Sequence, residues 1–178
     1  DVAHAGLADP LDHVALRQPV DGCRGPRLDV ADDHPALVGV LDREEDLAAA
    51  VERMVSDLGG LTILVNNAGG GGPKPFDMPM EDMRWAFELN VFSVFRLCQL
   101  AAPHMEAAGG GAILNVTSMA AENRNRRMAS YASSKAAESH LTRNIAHDLG
   151  PMNIRVNAVA PGATRTTALQ KVLTPEME

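Results

Sequence analysis

The pattern of apolar and polar positions changes character near residue 42. Before that point Pro and Gly interrupt every candidate period, and residues 1–38 predict no confident helix or strand. Beyond it, apolar residues recur at helical intervals, at Leu47, Val51, Val55 and Leu58. Asp42 and Glu45 have the spacing of a capping box, and Gly59-Gly60 is a typical helix end. The pattern therefore predicts a helix from about Asp42 to Leu58.

Short apolar runs and long amphipathic runs alternate along the rest of the chain. The predicted strands are 61–65, 112–116 and 154–159, and the predicted helices between them are 80–107 and 130–149. Pro103 should cause a kink or a local break in the first of these helices. Such alternation predicts an α/β fold, in which parallel strands are joined by right-handed crossovers and helices cover both faces of the sheet.

Small or polar residues follow all three predicted strands. Asn66-Asn67-Ala68-Gly69 opens a run of glycines that reaches Gly72, Thr117-Ser118 ends the second strand, and Pro161-Gly162 follows the third. Ligands of such sheets bind outside the carboxyl ends of the strands. These segments are therefore expected to converge on one site, although the first of them also fits a simple turn.

Tyr131 is the only tyrosine of the chain, and Lys135 lies four residues later on the same helix face. A phenol normally ionises near pH ~10, and a neighbouring ammonium stabilises its anion, which suits general acid–base chemistry. The Tyr-x-x-x-Lys pattern alone is a weak signal. Ser118 strengthens it, because its hydroxyl is expected to face the same crevice; its alternative role is to cap a turn.

Asn90 stands in the middle of a predicted helix, where asparagine is unfavourable. It is either a surface residue or a local distortion that holds a water reaching Lys135. The histidines show no metal-ligand spacing, so no metal is expected, and no Gly-Lys-Ser/Thr follows the glycine run, which excludes a P-loop. Arg124, Arg126 and Arg127 form a basic loop, either solvated or able to attract an acidic substrate group.

Composition narrows the function classes. The net charge of −7 argues against nucleic acid and anionic membranes as partners. No apolar run approaches the ~20 residues of a membrane span, and the N-terminus has no signal-peptide pattern. The 2 cysteines, Cys23 and Cys98, indicate a reducing compartment, and a cytoplasmic location is expected.

Taken together, these motifs resemble the short-chain dehydrogenase/reductase family. The matching residues are Asn66-Asn67-Ala68-Gly69, Asn90, Ser118, Tyr131-x-x-x-Lys135, and Pro161-Gly162 with Thr166. The resemblance covers about residues 40–178. It implies a Rossmann-type doubly wound parallel sheet and an oxidoreductase that transfers a hydride between a nicotinamide cofactor and a secondary alcohol or ketone.

Within that family, three segments are similar to the bacterial NAD-dependent enzymes that act on hydroxysteroids: 66–80, 117–125 and 131–137. This similarity implies the 7α-hydroxyl of a bile acid as substrate, NAD as cofactor and a homotetramer for the full-length parent. NADP stays open, because the acidic residue that reads the ribose 2′-hydroxyl is absent from residues 1–38.

The resemblance also assigns roles to individual residues. It implies a catalytic set of Asn90, Ser118, Tyr131 and Lys135, in which Tyr131 transfers the proton, Ser118 binds the reacting oxygen, Lys135 supports Tyr131 and contacts the nicotinamide ribose, and Asn90 anchors a proton-relay water. The implied cofactor-binding residues are Asn67, Ala68, Gly69, Tyr131, Lys135, Pro161, Gly162, Thr164, Arg165 and Thr166. The implied substrate-binding residues are Gly71, Ser118, Asn123 and Tyr131.

The chain departs from the family pattern at both ends. The family's Thr-Gly-x-x-x-Gly-x-Gly turn is absent from residues 1–38, which we interpret as unassigned, out-of-frame or unrelated sequence. Residues 39–178 are then a partial catalytic core, without the phosphate-binding unit and the C-terminal segment, and the isolated chain is expected to be inactive. Two alternatives stay open: an NADPH-dependent 3-oxoacyl-carrier-protein reductase, and an inactive fragment or non-catalytic nucleotide-binding protein.

Overall fold

A computed structural model describes residues 16–17 and 44–164 of the chain. The strands are β1 (Leu16–Arg17), β2 (Ile63–Asn66), β3 (Gly111–Val116) and β4 (Ile154–Val159). The α-helices are α1 (Glu44–Leu58), α2 (Met80–Phe87), α3 (Ser93–Ala107) and α4 (Ala129–Leu149). A π-helical turn, Glu88–Phe92, joins α2 to α3, and 3-10 turns lie at Met119–Ala121 and Gly150–Met152.

The sheet has the strand order β1-β2-β3-β4, and β2, β3 and β4 run parallel. Leu64, Ile113 and Val156 stand side by side in this register. The predicted α/β class and the parallel pairing of the three predicted strands are therefore confirmed. β1 pairs antiparallel with β2 and lies in the segment where the sequence predicts no element, because two residues are too few to show a period.

The helices α1, α3 and α4 contribute to one apolar core on the same face of the sheet. The core on this face combines Leu64, Ile113 and Ile154 of the strands with Val51 of α1 and Cys98 of α3. On the other face Leu114 is half-buried and Asn157 is exposed. Helices of the described residues cover this one face, and the expectation of helices on the other face is not tested by them. Successive right-handed crossovers that move in one direction along a sheet place their helices on one face, as happens from β2 through β4.

The predicted helix over 80–107 is interrupted near Asn90 and continues through Pro103. Pro103 lies inside α3, which runs through it without a break to Ala107. The interruption is the π-helical turn around Asn90, where the Ser93 amide donates to the carbonyl of Glu88. A break at Pro103 is therefore not found, and a kink there stays a prediction. Proline removes a single backbone hydrogen bond, which a well-packed helix tolerates. The wider π-helical turn coincides with the hydrogen bonds of the Asn90 side chain to Gly70 and Ser134.

Candidate active site

The carboxyl ends of β2, β3 and β4 lie side by side, as expected. The Thr117 amide and hydroxyl both donate to the Val159 carbonyl, at 2.8 and 2.9 Å, and the Met119 amide donates to the Pro161 carbonyl at 3.0 Å. These bonds fix the segment after β3 against the segment after β4. Pro161 and Gly162 therefore border the turn that carries Ser118.

Ser118 is in extended conformation, and its Oγ accepts a hydrogen bond of 3.1 Å from the Ala120 amide. It is thus the N-cap of the 3-10 turn, which was the alternative role considered for it. This bond uses only an acceptor site of the hydroxyl, so the hydroxyl proton is free to be donated to a ligand oxygen. Capping fixes the position of Oγ and is compatible with catalysis.

Tyr131 lies in the first turn of α4, and the 3-10 turn after Ser118 packs against this helix. The side chain is half-buried, and among the described residues none is hydrogen-bonded to its hydroxyl. The structure therefore packs the helix that carries Tyr131 against the turn that follows Ser118, and it leaves the Tyr131 hydroxyl available within the described part of the chain.

Gly71 is held directly against the ring of Tyr131. A Cβ at Gly71 would lie 2.9 Å from the Tyr131 Cδ2 atom, and its φ of +127° is one that side-chain-bearing residues rarely adopt. The neighbouring Lys74 amide donates to the carbonyl of Arg127 at 2.7 Å, which ties the loop after Gly72 to the loop before α4. Gly71 thus leaves the space that the Tyr131 ring occupies, and a larger residue would displace the ring.

Lys135 is almost fully buried, with 3% of its side chain exposed. Its Nζ donates to the Val116 carbonyl and to Glu138 Oε2, both at 2.8 Å. Its amine also lies under Gly69, where an added Cβ would come within 2.9 Å of Nζ. The ammonium therefore sits below the exposed glycine after β2, next to the surface expected to bind a cofactor.

Asn90 is fully buried and is no surface residue. Its Oδ1 accepts from the Gly70 amide at 3.0 Å, and its Nδ2 donates to the Gly70 carbonyl and to Ser134 Oγ, both at 2.9 Å. The expected local distortion is confirmed by the π-helical turn. The Asn90 side chain links the loop after β2 to α4, and its polar atoms are bonded to protein groups. The anchored water stays a prediction.

The segments expected to bind ligands are mostly accessible. Asn67, Gly69, Asn123 and Thr164 are exposed, and Ala68 is half-buried. Asn66 turns inward instead, and its Nδ2 donates to Asn115 Oδ1 at 2.8 Å. Arg165 and Thr166 lie outside the described residues. A cavity of about 400 Å³ opens elsewhere, around Gly150 and Asn153 at the other end of β4, and has no part in this constellation.

The sequence model of the short chain dehydrogenases matches residues 31–177. The chain belongs to this family. Its Ser118, Tyr131 and Lys135 stand at the carboxyl edge of the sheet, as the family resemblance implies, so the fold and the placement of these three residues agree with membership.

Individual short-chain dehydrogenases are similar to this chain over a part of their length. The 7alpha-hydroxysteroid dehydrogenase of Escherichia coli K12 is 66% identical over 135 residues, which are 76% of this chain and 53% of that protein. The 3-oxoacyl-acyl-carrier-protein reductase of Thermotoga maritima is 35% identical over 78% of this chain and 56% of its own length. The chain therefore spans about half the length of the curated relatives it matches.

A solved structure is also similar to this chain over part of its length. A 7 alpha-hydroxysteroid dehydrogenase in complex with NADH and 7-oxo glycochenodeoxycholic acid superposes with a TM-score of 0.75 and 65% sequence identity. The match covers 76% of this chain and 53% of that one. The Rossmann-type arrangement of a short-chain dehydrogenase is thus shown for the matched part.

Sequence reasoning missed Glu138, which is fully buried against Lys135. A signal was present, since Tyr131, Lys135 and Glu138 are spaced by four and three residues and so share one helix face. A charged residue on a face that already carries a functional lysine is a candidate for the same site. Asn115, Ser134 and Thr142 were also missed, and their bonds to other buried polar groups leave no mark in a single sequence.

Proposed function

We propose that this short-chain dehydrogenase is the catalytic core of an NAD-dependent oxidoreductase that acts on the 7α-hydroxyl of a bile acid. The observation that carries the proposal is the set of Ser118, Tyr131 and Lys135 at one edge of the sheet, in a chain 66% identical to a 7alpha-hydroxysteroid dehydrogenase. The identity to the 3-oxoacyl-acyl-carrier-protein reductase is 35%, which favours the steroid over the acyl substrate.

The exposed surface beside Lys135 suits a flat dinucleotide. Gly69 lacks a side chain where any Cβ would press on the Lys135 amine. The largely exposed segments Asn67–Gly69 and Pro161–Thr164 flank it. We assign these residues, together with Arg165 and Thr166, to cofactor binding. NAD is preferred over NADP because the similar solved structure contains NADH. When bound, the nicotinamide accepts or donates the hydride.

The protein groups handle the proton and the oxygen. In alcohol oxidation Tyr131, as phenolate, takes the hydroxyl proton while the carbon loses its hydride, and in reduction the phenol returns that proton. The free proton of Ser118 Oγ is donated to the substrate oxygen and holds it near Tyr131. The buried Lys135 ammonium supplies positive charge below the site, where a low dielectric strengthens its effect.

The loop after Ser118 fits an anionic steroid. Asn123 is exposed on it, and Arg124, Arg126 and Arg127 are exposed just beyond. A bile acid carries a carboxylate on a flexible tail, so this basic loop offers the charge that attracts it. We assign Asn123 and Gly71 to the steroid, with Gly71 acting through the orientation of the Tyr131 ring.

We place the enzyme in the cytoplasm as a homotetramer. The structure has no helix long and apolar enough to cross a membrane in its described part. Phe92 and Phe95 are 53% and 42% exposed one turn apart, which supports burial of this surface against another copy. Light scattering tests the assembly, and a monomer at assay concentrations would contradict it.

The decisive substrate test uses two proteins. One is the chain itself; the other, here called the completed enzyme, adds the parts of the E. coli relative that lie outside the 135 matched residues. Absorbance of the reduced nicotinamide is followed with NAD and a 7α-hydroxy bile acid, with the 7β epimer as control. We expect turnover of the 7α epimer by the completed enzyme and little by the chain alone, which contains no family phosphate-binding turn within residues 1–38. Equal rates for both epimers, or none, would refute the substrate assignment.

A further inference from the structure

A buried ion pair lies beneath the proposed catalytic tyrosine. Lys135 Nζ and Glu138 Oε2 are 2.8 Å apart, and their side chains are 3% and 0% exposed. The proton and oxygen chemistry above uses Lys135 and makes no use of Glu138. A buried carboxylate is costly to keep in a fold, because its desolvation is only partly offset by a partner. Its contact with the Lys135 ammonium is what offsets part of this cost.

The surroundings of Glu138 leave Lys135 as its charged partner. On α4 itself, Thr142 Oγ1 donates to the backbone carbonyl of Glu138 at 2.8 Å. On α3, the Cys98 thiol is close enough to interact electrostatically with the Glu138 carboxylate. Burial raises the pKa of this thiol to about 12, so it is neutral at assay pH. Glu138 Oε1 has no hydrogen-bond partner within the part of the chain that the structure describes. The carboxylate is therefore held mainly through Oε2 and Lys135.

The ion pair has two separable consequences for Lys135. As a hydrogen-bond acceptor, Glu138 fixes Nζ together with the Val116 carbonyl, both at 2.8 Å. As a negative charge, it offsets part of the ammonium's field and opposes formation of a second anion nearby, namely the Tyr131 phenolate. The hydrogen bond positions the Lys135 ammonium, and the negative charge limits how strongly that ammonium stabilises the Tyr131 phenolate.

We propose that Glu138 is a positioning residue of this enzyme, which holds the Lys135 ammonium against β3 and limits its stabilisation of the Tyr131 phenolate. The inference rests on the proposed function and adds to it a residue that controls the pH dependence of turnover. Replacing Glu138 by a neutral residue therefore extends the activity of this enzyme in alcohol oxidation to lower pH.

Two substitutions in the completed enzyme separate charge from hydrogen bonding. Glu138→Gln keeps an acceptor for Lys135 and removes the charge, whereas Glu138→Met removes both at similar length. We expect Glu138→Gln to move the acidic limb of the kcat/KM profile for alcohol oxidation down by about one pH unit, with the KM for NAD changed less than about two-fold. Glu138→Met should raise that KM by about ten-fold, because Lys135 is no longer held.

The control is Asp148→Asn, which removes an exposed carboxylate from the same helix and should leave the profile unchanged. A purely structural role would lower stability in both Glu138 variants and leave the acidic limb where it is. A Glu138→Gln profile that superimposes on that of the unsubstituted enzyme overturns the proposal, even while turnover of bile acid upholds the function.

A second readout needs no turnover. Reductive methylation with formaldehyde, followed by mass spectrometry, measures the accessibility of Lys135 in the chain itself, with Lys74, whose side chain is 46% exposed, as internal standard. We expect Lys135 to be protected and Glu138→Met to raise its modification rate by about ten-fold, as the loss of a buried partner predicts. Equal rates would show that Glu138 does not hold Lys135, whatever the substrate proves to be.

Discussion

At the scale of single residues, the candidate site depends on close approaches that only glycine permits. Gly71 meets the ring of Tyr131, and Gly69 covers the amine of Lys135. The sequence shows these glycines only as part of a run that ends at Gly72. Their separate roles follow from which side chain each one faces, and this is a property of the folded chain.

Gly71→Ala should impair the site far more than Gly72→Ala. The alanine is strained at φ +127° and its Cβ would lie 2.9 Å from Tyr131 Cδ2, whereas nothing lies within 4 Å of a Cβ at Gly72. We expect a loss of about 1–3 kcal/mol in unfolding free energy and at least a ten-fold fall in kcat, because a displaced ring misplaces the proton. Urea unfolding and steady-state kinetics measure both. Similar values for the two variants would contradict the role given to Gly71.

At the scale of elements, the sequence predicts the three parallel strands well, because each is a short apolar run bounded by clear turn residues. It predicts a distortion near Asn90 for the right reason, since asparagine is a poor residue for a helix interior. It allows a break at Pro103 that is not found, since propensity alone does not reveal that the surrounding turns are buried. It also misses Glu138, although Lys135 lies three residues earlier on the same helix; what the sequence does not show is that this face of α4 is buried.

Asn90→Ala tests the bond between the π-helical turn and its neighbours. The substitution removes the contacts with the Gly70 backbone and Ser134 and leaves buried groups without partners. We expect a loss of about 2–4 kcal/mol in unfolding free energy. Asn144→Ala is the control, because Asn144 is exposed and its side chain donates to the His140 carbonyl on its own helix, so a change within about 0.5 kcal/mol is expected. Equal losses of unfolding free energy in the two variants would show that the Asn90 side chain does not stabilise the site.

At the scale of the whole molecule, a polar layer separates the apolar core from the reactive edge. Asn66, Asn115 and Thr142 are linked by side-chain hydrogen bonds, and Glu138 and Lys135 complete the layer. Burial raises the pKa of the Glu138 carboxyl above 4.5, and Lys135 only partly opposes this. In the folded protein the Glu138 carboxyl therefore stays protonated over a pH range in which the same carboxyl of the unfolded chain is ionised.

Stability should thus depend on pH through Glu138. The neutral Glu138 carboxyl makes its full contribution to the free energy of unfolding below about pH 4.5. This contribution is lost as the pH rises through the higher pKa that the carboxyl has in the folded state. Relative to Glu138→Gln, the unsubstituted chain should lose stability as the pH rises from 4.5 towards neutrality. Urea unfolding across this range measures the difference. Parallel stability curves for the two proteins would show that the carboxyl is not desolvated in the way the structure indicates.

The central claim is that Tyr131 transfers the proton of the substrate hydroxyl, and Tyr131→Phe in the completed enzyme tests it most directly. Phenylalanine keeps the ring that packs on Gly71 and deletes one hydroxyl, so the fold and the affinity for NAD should be nearly unchanged. Loss of a general acid–base is typically worth about 10² to 10⁴ in rate, and we expect kcat with a 7α-hydroxy bile acid to fall towards the upper end of that range. Retention of more than about a tenth of the turnover, outside the range for a lost general base, would contradict the mechanism and leave the chain as a binding module.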